Sequence, residues 1–333
     1  MPASARRRRR VAPAMGSSVP GSRVFCCVLA AAVLLAGCAT SPDARGTASN
    51  ASIEVAASTN VWASILGQLG GSHVRASSII SSPQTDPHAY EPTPADARTI
   101  ARSRVFVENG IGYDPWAGKT LAASPDRNRT VIDVGRLVGV GEGGNPHRWY
   151  SPSDVDAVVT AISAALKQAD PADAGYFDNR RQQFQNVDLA GYHQLIDDIR
   201  ARYAGVRVGA SESIVAPLTE ALGLDLTTPA GFLRAVSEGS EPSAADKATS
   251  DAQLSRHAVA VYLYNSQNAT PDVAAQLATA RRAGVPVVAV TETINPPGAS
   301  FQQWQVSQLR TLRAALEQAR ATDRVSATQA TGR

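Results

Sequence analysis

Short apolar runs rich in β-branched residues return repeatedly along this chain, with helical patterns between them. That alternation points to parallel sheets, because parallel neighbours need a crossover long enough to hold a helix. Strands are expected at Ile53 to Ala57, Val74 to Ile80, Val105 to Glu108 and Thr130 to Val134, and again at Val206 to Ala210, Val259 to Tyr262 and Val285 to Val290. Helical spacing fits Val61 to Leu69, Pro94 to Ala101, Pro115 to Ala122 and Ser153 to Gln168 in the first half. In the second half it fits Ile214 to Leu222, Ser243 to Ser255, Pro271 to Ala283 and Gln302 to Gln318.

Between the two sets the pattern changes. From Pro171 to Tyr203 there is no strand signal and no internal proline, and Phe177, Phe184, Val187, Tyr192, Leu195, Ile196, Ile199 and Tyr203 recur at helical spacing. The expected fold is therefore α/β, with two lobes of parallel sheet flanked by helices and joined by one long rigid helix. The lobes span residues 53–170 and 205–320, each with its own core, and the linking helix spans 171–204. Residues 321–333 read as a frayed tail.

The N-terminus speaks to the compartment. Arg6 to Arg10 and Arg23 precede an uncharged apolar run from Val24 to Leu35, too short to span a bilayer but suited to a signal-peptide core. It ends in Leu35-Ala36-Gly37-Cys38, which resembles the lipobox of bacterial lipoproteins. Residues 1–37 are then expected to be removed, Cys38 to be lipidated, and residues 38–52, rich in Ser, Thr and Ala, to form a flexible tether. Losing residues 1–37 removes six arginines and no acid, which turns the formal charge of +3 into −3. The basic balance belongs to the signal and gives no support to nucleic-acid binding. Cys26 and Cys27 leave with it, so neither a disulfide framework nor a thiolate metal site is open to the mature chain.

Two histidines have unusual surroundings. His88 lies in Asp86-Pro87-His88-Ala89-Tyr90-Glu91-Pro92-Thr93-Pro94, and His147 in Asn145-Pro146-His147-Arg148-Trp149-Tyr150-Ser151-Pro152. Both are proline-stiffened loops ahead of a helix, the kind of place where open α/β sheets put binding residues. His193 falls within the linking helix, His257 just before a strand and His73 in a Gly-Ser turn, and these three are expected to be solvated or hydrogen-bonded.

Both loops resemble those of the solute-binding lipoproteins of zinc and manganese ABC importers. Glu241-Pro242-Ser243 is similar to a segment in that family's second lobe, and the resemblance covers most of residues 53–318 in the same order. It implies one divalent ion, Zn²⁺ or Mn²⁺, as transported ligand in the cleft between the lobes, with His88 and His147 as the first two ligands. The third, His or Glu in the family, would be Glu212 in Ala210-Ser211-Glu212. The fourth, usually an Asp, would be Glu292 in Val290-Thr291-Glu292-Thr293. That substitution is a departure, since the extra methylene moves the carboxylate outward and leaves the coordination number open. Trp62, Tyr90 and Trp149 are candidates to wall the cleft, with core packing as the other reading.

The resemblance further implies that the ion is handed to an ABC importer membrane permease with its cytoplasmic ATPase. The carrier would sit lipid-anchored on the outer face of the bacterial cytoplasmic membrane. A metal-dependent hydrolase and an adhesion lipoprotein on the same fold are the competing readings. There is no His-Glu-x-x-His helix, and Ser211 lacks a Gly-x-Ser-x-Gly elbow, so an enzyme is not expected. Gly139, Gly141 and Gly144 match Gly-x-Gly-x-x-Gly but run into Asn145-Pro146 rather than a helix, which reads as a loop.

Overall fold

The computed structural model describes residues 52–85, 87–268 and 270–331, with side chains described as far as 322. The expected signal peptide, Cys38 and the tether up to residue 51 lie outside the described residues.

In the first lobe, β1 (Ile53–Thr59), β2 (Val74–Ile80), β3 (Val105–Glu108) and β4 (Thr130–Asp133) form a parallel sheet in the order β2-β1-β3-β4. Helices α1 (Asn60–Gly70), α2 (Pro94–Arg102) and α3 (Pro115–Ala123) make the crossovers, and α4 (Val134–Val138) and α5 (Pro152–Ala169) follow β4. After the linker, residues 205 onward repeat the plan. Strands β5 (Arg207–Ala210), β6 (Asp225–Leu226), β7 (Val261–Asn265) and β8 (Val287–Val290) lie in the order β6-β5-β7-β8, again all parallel. Their helices come after α6 (Ala174–Gln183) and α7 (Ala190–Tyr203) of the linker, and are α8 (Ala216–Ala221), α9 (Ala230–Ser237), α10 (Ala244–Ser255), α11 (Pro271–Ala283) and α12 (Phe301–Thr331).

In each sheet the strand order reverses once, between β1 and β3 and between β5 and β7. Loops at the carboxyl ends diverge there and leave a crevice.

The linking helix is not continuous. A short 3₁₀ turn at Pro171–Asp173 leads into α6 (Ala174–Gln183), a π-helical turn at Phe184–Asp188, and α7 (Ala190–Tyr203). The Leu189 N–H bonds back five residues to the Phe184 carbonyl at 2.8 Å, which wraps one extra residue into the turn. Phe184 and Leu189 thereby share the buried face, and Val187, expected on that face, is 59% exposed.

The lobes do not keep separate cores. One buried cluster runs from Val55 and Trp62 through Tyr192 and Ile199 to Val261, Val290 and Leu316. The reason is α12, which starts after the second sheet and packs back on the first lobe. Its Phe301 N–H donates to Ser64 Oγ at 3.1 Å, and Gln302 Nε2 donates to Gln68 Oε1 at 2.7 Å. Trp149, Tyr150, Trp304, Phe301 and Tyr192 form an aromatic chain through the junction, with successive ring centroids 5.8–6.4 Å apart. The tail expected to fray over residues 321–333 is helical as far as Thr331. No helix among the described residues is long and apolar enough to cross a membrane.

Candidate metal centre

The loop between β2 and α2 is held at both ends. Thr93 caps α2 by accepting the Asp96 N–H, while the Asp96 carboxylate accepts from Thr93 N at 2.7 Å and from Tyr90 OH at 2.8 Å, a reciprocal capping box. Trp116 Nε1 donates to the Pro87 carbonyl at 3.2 Å and so fixes the backbone just before His88. His88 Nδ1 lies 3.2 Å from the Gly112 carbonyl. A carbonyl oxygen can only accept, so the ring proton sits on Nδ1 and Nε2 is the nitrogen that could ligate. Gly112 belongs to a run of left-handed residues, Gly110, Ile111 and Gly112, with φ of 70°, 58° and 73°. Left-handed backbone at a β-branched residue is a true outlier, and such strain collects at functional sites.

His147 is built in the same manner from a different loop. Its Nδ1 donates to Asn145 Oδ1 at 2.8 Å, again leaving Nε2. Asn145 Nδ2 reaches across to the Ser213 carbonyl of the second lobe at 2.7 Å. Beneath the loop, Asn109 at the end of β3 donates to the Pro146 carbonyl at 2.9 Å and accepts from Trp62 Nε1 at 3.0 Å. Burial, with His88 and Arg148 nearby, pushes the His147 imidazole down to about 3, so it is neutral and ready to coordinate at physiological pH.

The carboxylates come from the second lobe, two residues beyond strand ends: Glu212 after β5 and Glu292 after β8. Glu212 stands at the N-terminus of a 3₁₀ turn but makes no side-chain cap. Its Oε1 accepts from Asn265 Nδ2 at 2.6 Å and its Oε2 from Asn268 Nδ2 at 2.6 Å. Glu292 Oε1 accepts from the same Asn265 amide at 2.8 Å, and its Oε2 from Tyr113 OH at 3.0 Å. Burial first, then the Glu292 charge, pushes Glu212 up to about 7 against the opposing pull of both asparagines. The metal-free centre therefore favours a proton on Glu212, which a divalent ion would displace.

His147, Glu212 and Glu292 each offer a ligand atom, and these atoms all lie within 4.8 Å of one another. His88 is outside that group and lies in the wall of the adjoining cleft, which Pro83, Glu238, Gln267, Asn268 and Glu292 also line. Tyr113 stands between the imidazoles, with ring centroids 5.0 Å from His88 and 6.2 Å from His147. Of the three aromatics considered as cleft walls, Trp62 and Trp149 are fully buried in the core behind the site, Trp149 with its centroid 5.4 Å from that of His147. Tyr90 packs on Trp116 at 5.1 Å instead, drawn there by its bond to Asp96. Glu241 and Pro242 precede α10, where Ser243 acts as the helix cap, away from this group.

Among the other histidines, His193 lies 3.9 Å from Asp156, and His257 adopts a left-handed turn. His73 pairs with Asp173 at 2.9 Å and packs on Tyr176, and with Asp170 and Asp173 it makes a second, more open group of possible ligands. Sequence reasoning missed Asn109, Tyr113, Asn265, Gln267 and Asn268. The Asn-Gly step closing β3 and the amide-rich turn closing β7 were the signals on offer.

The sequence profile described as "Zinc-uptake complex component A periplasmic" matches residues 55–315, most of the chain. The chain belongs to this family. Relatives of the zinc-uptake family to which it is similar include the manganese-binding lipoprotein MntA of Bacillus subtilis, 26% identical over 165 residues, or 47% of this chain and 53% of the relative. The manganese ABC transporter substrate-binding lipoprotein PsaA of Streptococcus pneumoniae is 26% identical over 166 residues, 46% of this chain and 53% of that one. The chain thus spans about half the length of the curated relatives it matches. Among solved structures, FpvC of Pseudomonas aeruginosa in complex with Mn²⁺ superposes with a TM-score of 0.65 at 22% identity, covering 80% of this chain and 99% of that one. A Mn-bound periplasmic metal-binding protein of Candidatus Liberibacter asiaticus gives 0.66 at 17% identity, covering 79% and 98%. Likeness at that identity shows the fold alone, two lobes of parallel sheet.

Proposed function

We propose that this protein captures a divalent transition metal, Zn²⁺ or Mn²⁺, outside the cytoplasmic membrane and delivers it to an ABC importer permease powered by its cytoplasmic ATPase. Cys38 anchors it by lipid to the outer face of that membrane. The ligands are His88 and His147 from the first lobe and Glu212 and Glu292 from the second. Two neutral imidazoles and two carboxylates balance a 2+ ion, and nitrogen and oxygen donors without sulfur suit either metal.

One observation carries the reading: His147, Glu212 and Glu292 converge within 4.8 Å across the lobes, and the protonated Nδ1 of His147 is committed to Asn145. His88, in the wall of the adjoining cleft, is the fourth ligand in this reading. The manganese named for MntA and PsaA supports the ligand class.

The test is metal analysis of stripped protein after exposure to equimolar Zn²⁺ and Mn²⁺. One tightly held ion per chain is expected, and its loss in His147→Ala and Glu212→Gln follows. A chain that retains no ion, or variants that bind as tightly as the wild type, would overturn the assignment. A Cys38→Ser chain should lose lipid labelling, and unchanged labelling would refute the anchor.

A further inference from the structure

The turn after β7, Asn265-Ser266-Gln267-Asn268, aims three side-chain amides at the centre. The Asn265 amide spans both carboxylates, at 2.6 Å from Glu212 and 2.8 Å from Glu292, and Asn268 takes the remaining oxygen of Glu212 at 2.6 Å. Gln267 Oε1 accepts the backbone N–H groups of Glu292 and Thr293, at 2.6 and 3.0 Å. Its Nε2 donates to Thr293 Oγ1 at 2.8 Å and, across the cleft, to the Pro83 carbonyl at the root of the His88 loop at 2.9 Å. With Tyr113 OH on Glu292 Oε2, every oxygen of both carboxylates accepts a hydrogen bond from the protein.

We propose that this turn determines metal specificity, holding each carboxylate to single-oxygen coordination and so selecting zinc over manganese. The inference rests on the ligand assignment made above. A carboxylate that chelates an ion turns the inner lone pairs of both oxygens towards it, and donors already seated on both oxygens oppose that rotation. Two single-oxygen carboxylates and two imidazoles make four donors, the tetrahedral set that zinc takes. Manganese favours octahedral, oxygen-rich surroundings and would need chelating carboxylates or added waters. Water is kept from the inner side of the centre, where Asn265 and Glu212 are 1% exposed and His147 2%, and enters from the cleft that His88 and Glu292 line.

The turn also explains how the departure at position 292 is accommodated. The longer side chain is held back by Asn265 from the second lobe and by Tyr113 from the first, and Gln267 fixes the backbone from which it springs.

The experiment is competition between Zn²⁺ and Mn²⁺ for the metal-stripped full chain and for Asn265→Ala and Asn268→Ala, together with zinc X-ray absorption of the wild type. Four-coordinate zinc is expected in the wild type. In Asn265→Ala, where both carboxylates lose a tie, the ratio of zinc to manganese affinity should fall at least about tenfold, the scale of a lost supporting contact. Asn268→Ala frees only Glu212 and should lower the ratio less, and it decides the matter if Asn265→Ala fails to fold. Equal losses for both metals would reduce the turn to a structural support and overturn the proposal. Five- or six-coordinate zinc, or a wild type that prefers manganese, would sink it while leaving the ligand assignment standing. A wild type that binds neither metal would sink both.

Discussion

The two lobes share one sheet plan yet present their candidate ligands differently. The first lobe uses histidines on long loops, each ring aimed by one bond from Nδ1 to a carbonyl oxygen, Gly112 for His88 and Asn145 for His147. The second lobe uses carboxylates two residues from strand ends, each held through both oxygens. An imidazole has one spare nitrogen, so a single acceptor is enough to aim it. A carboxylate has two equivalent oxygens and turns freely, so it needs donors on both.

The strongest test of this contrast is to remove one ligand from each lobe. His147→Ala and Glu212→Gln should each weaken metal binding by at least about a hundredfold, the upper end for a supporting interaction, in calorimetric titrations. If only one lobe's variant does so, the ion is held from one side and the cleft reading fails.

Loosening the aim is the next test. Asn145→Ala keeps the His147 ligand but frees its ring and cuts the link to Ser213, so affinity should fall about ten- to hundredfold. A fall of less than threefold would mean that packing on Trp149 suffices to orient the ring.

The lobes should also answer differently to pH. His147, pushed down to about 3, stays neutral above pH 5, whereas Glu212, pushed up to about 7 from its ordinary 4.5, holds a proton through the acidic range. Affinity should therefore rise with pH from 5 towards 7 and flatten above it, with protons released on metal binding at pH 6. Titration in buffers of different ionisation heat measures that release. Without metal the sign for stability is opposite. Between 4.5 and 7 the unfolded chain has lost the Glu212 proton and the folded chain keeps it, so stability falls as pH rises. Glu108, also pushed up to about 7 by burial and by Asp114 and Asp133, contributes in the same direction. It is not among the candidate ligands, so proton release on metal binding leaves Glu108 out of the count.

The smallest expected effect is on shape. Scattering profiles of metal-free and metal-loaded protein should nearly coincide, because the lobes share a core and α12 ties the second back to the first. A contraction of several ångströms in radius of gyration would show that the π turn in the linker works as a hinge.

Much of this architecture was legible in the sequence, for physical reasons that also mark where legibility stopped. A strand buried along its length, such as Val105 to Val107, announces itself by an unbroken apolar run. β6 has two residues and no period to read, and α9 opens on Pro229-Ala230-Gly231, which looks like a turn. The break in the linker was hidden because Val187 continues a helical pattern that only the five-residue bond at Leu189 disrupts. At the site, proline-flanked histidines stand out because few structural roles need them. Asn265 and Asn268 do not, since asparagine near a strand end is ordinary turn chemistry. Tyr113 was invisible for another reason: its importance lies in contacts across 179 residues of sequence to Glu292.

The unbroken core has a consequence for the lifetime of the molecule. With Trp149, Tyr150 and Trp304 buried in one cluster that serves both lobes, neither half can open widely without exposing apolar surface of the other. Proteases then meet a substrate that is open everywhere or nowhere. A bound ion bridging the lobes deepens the closed state by mass action, about 4 kcal/mol at a thousand times the dissociation constant. Metal-free protein would be degraded faster than metal-loaded protein, and its abundance would itself follow the supply of metal.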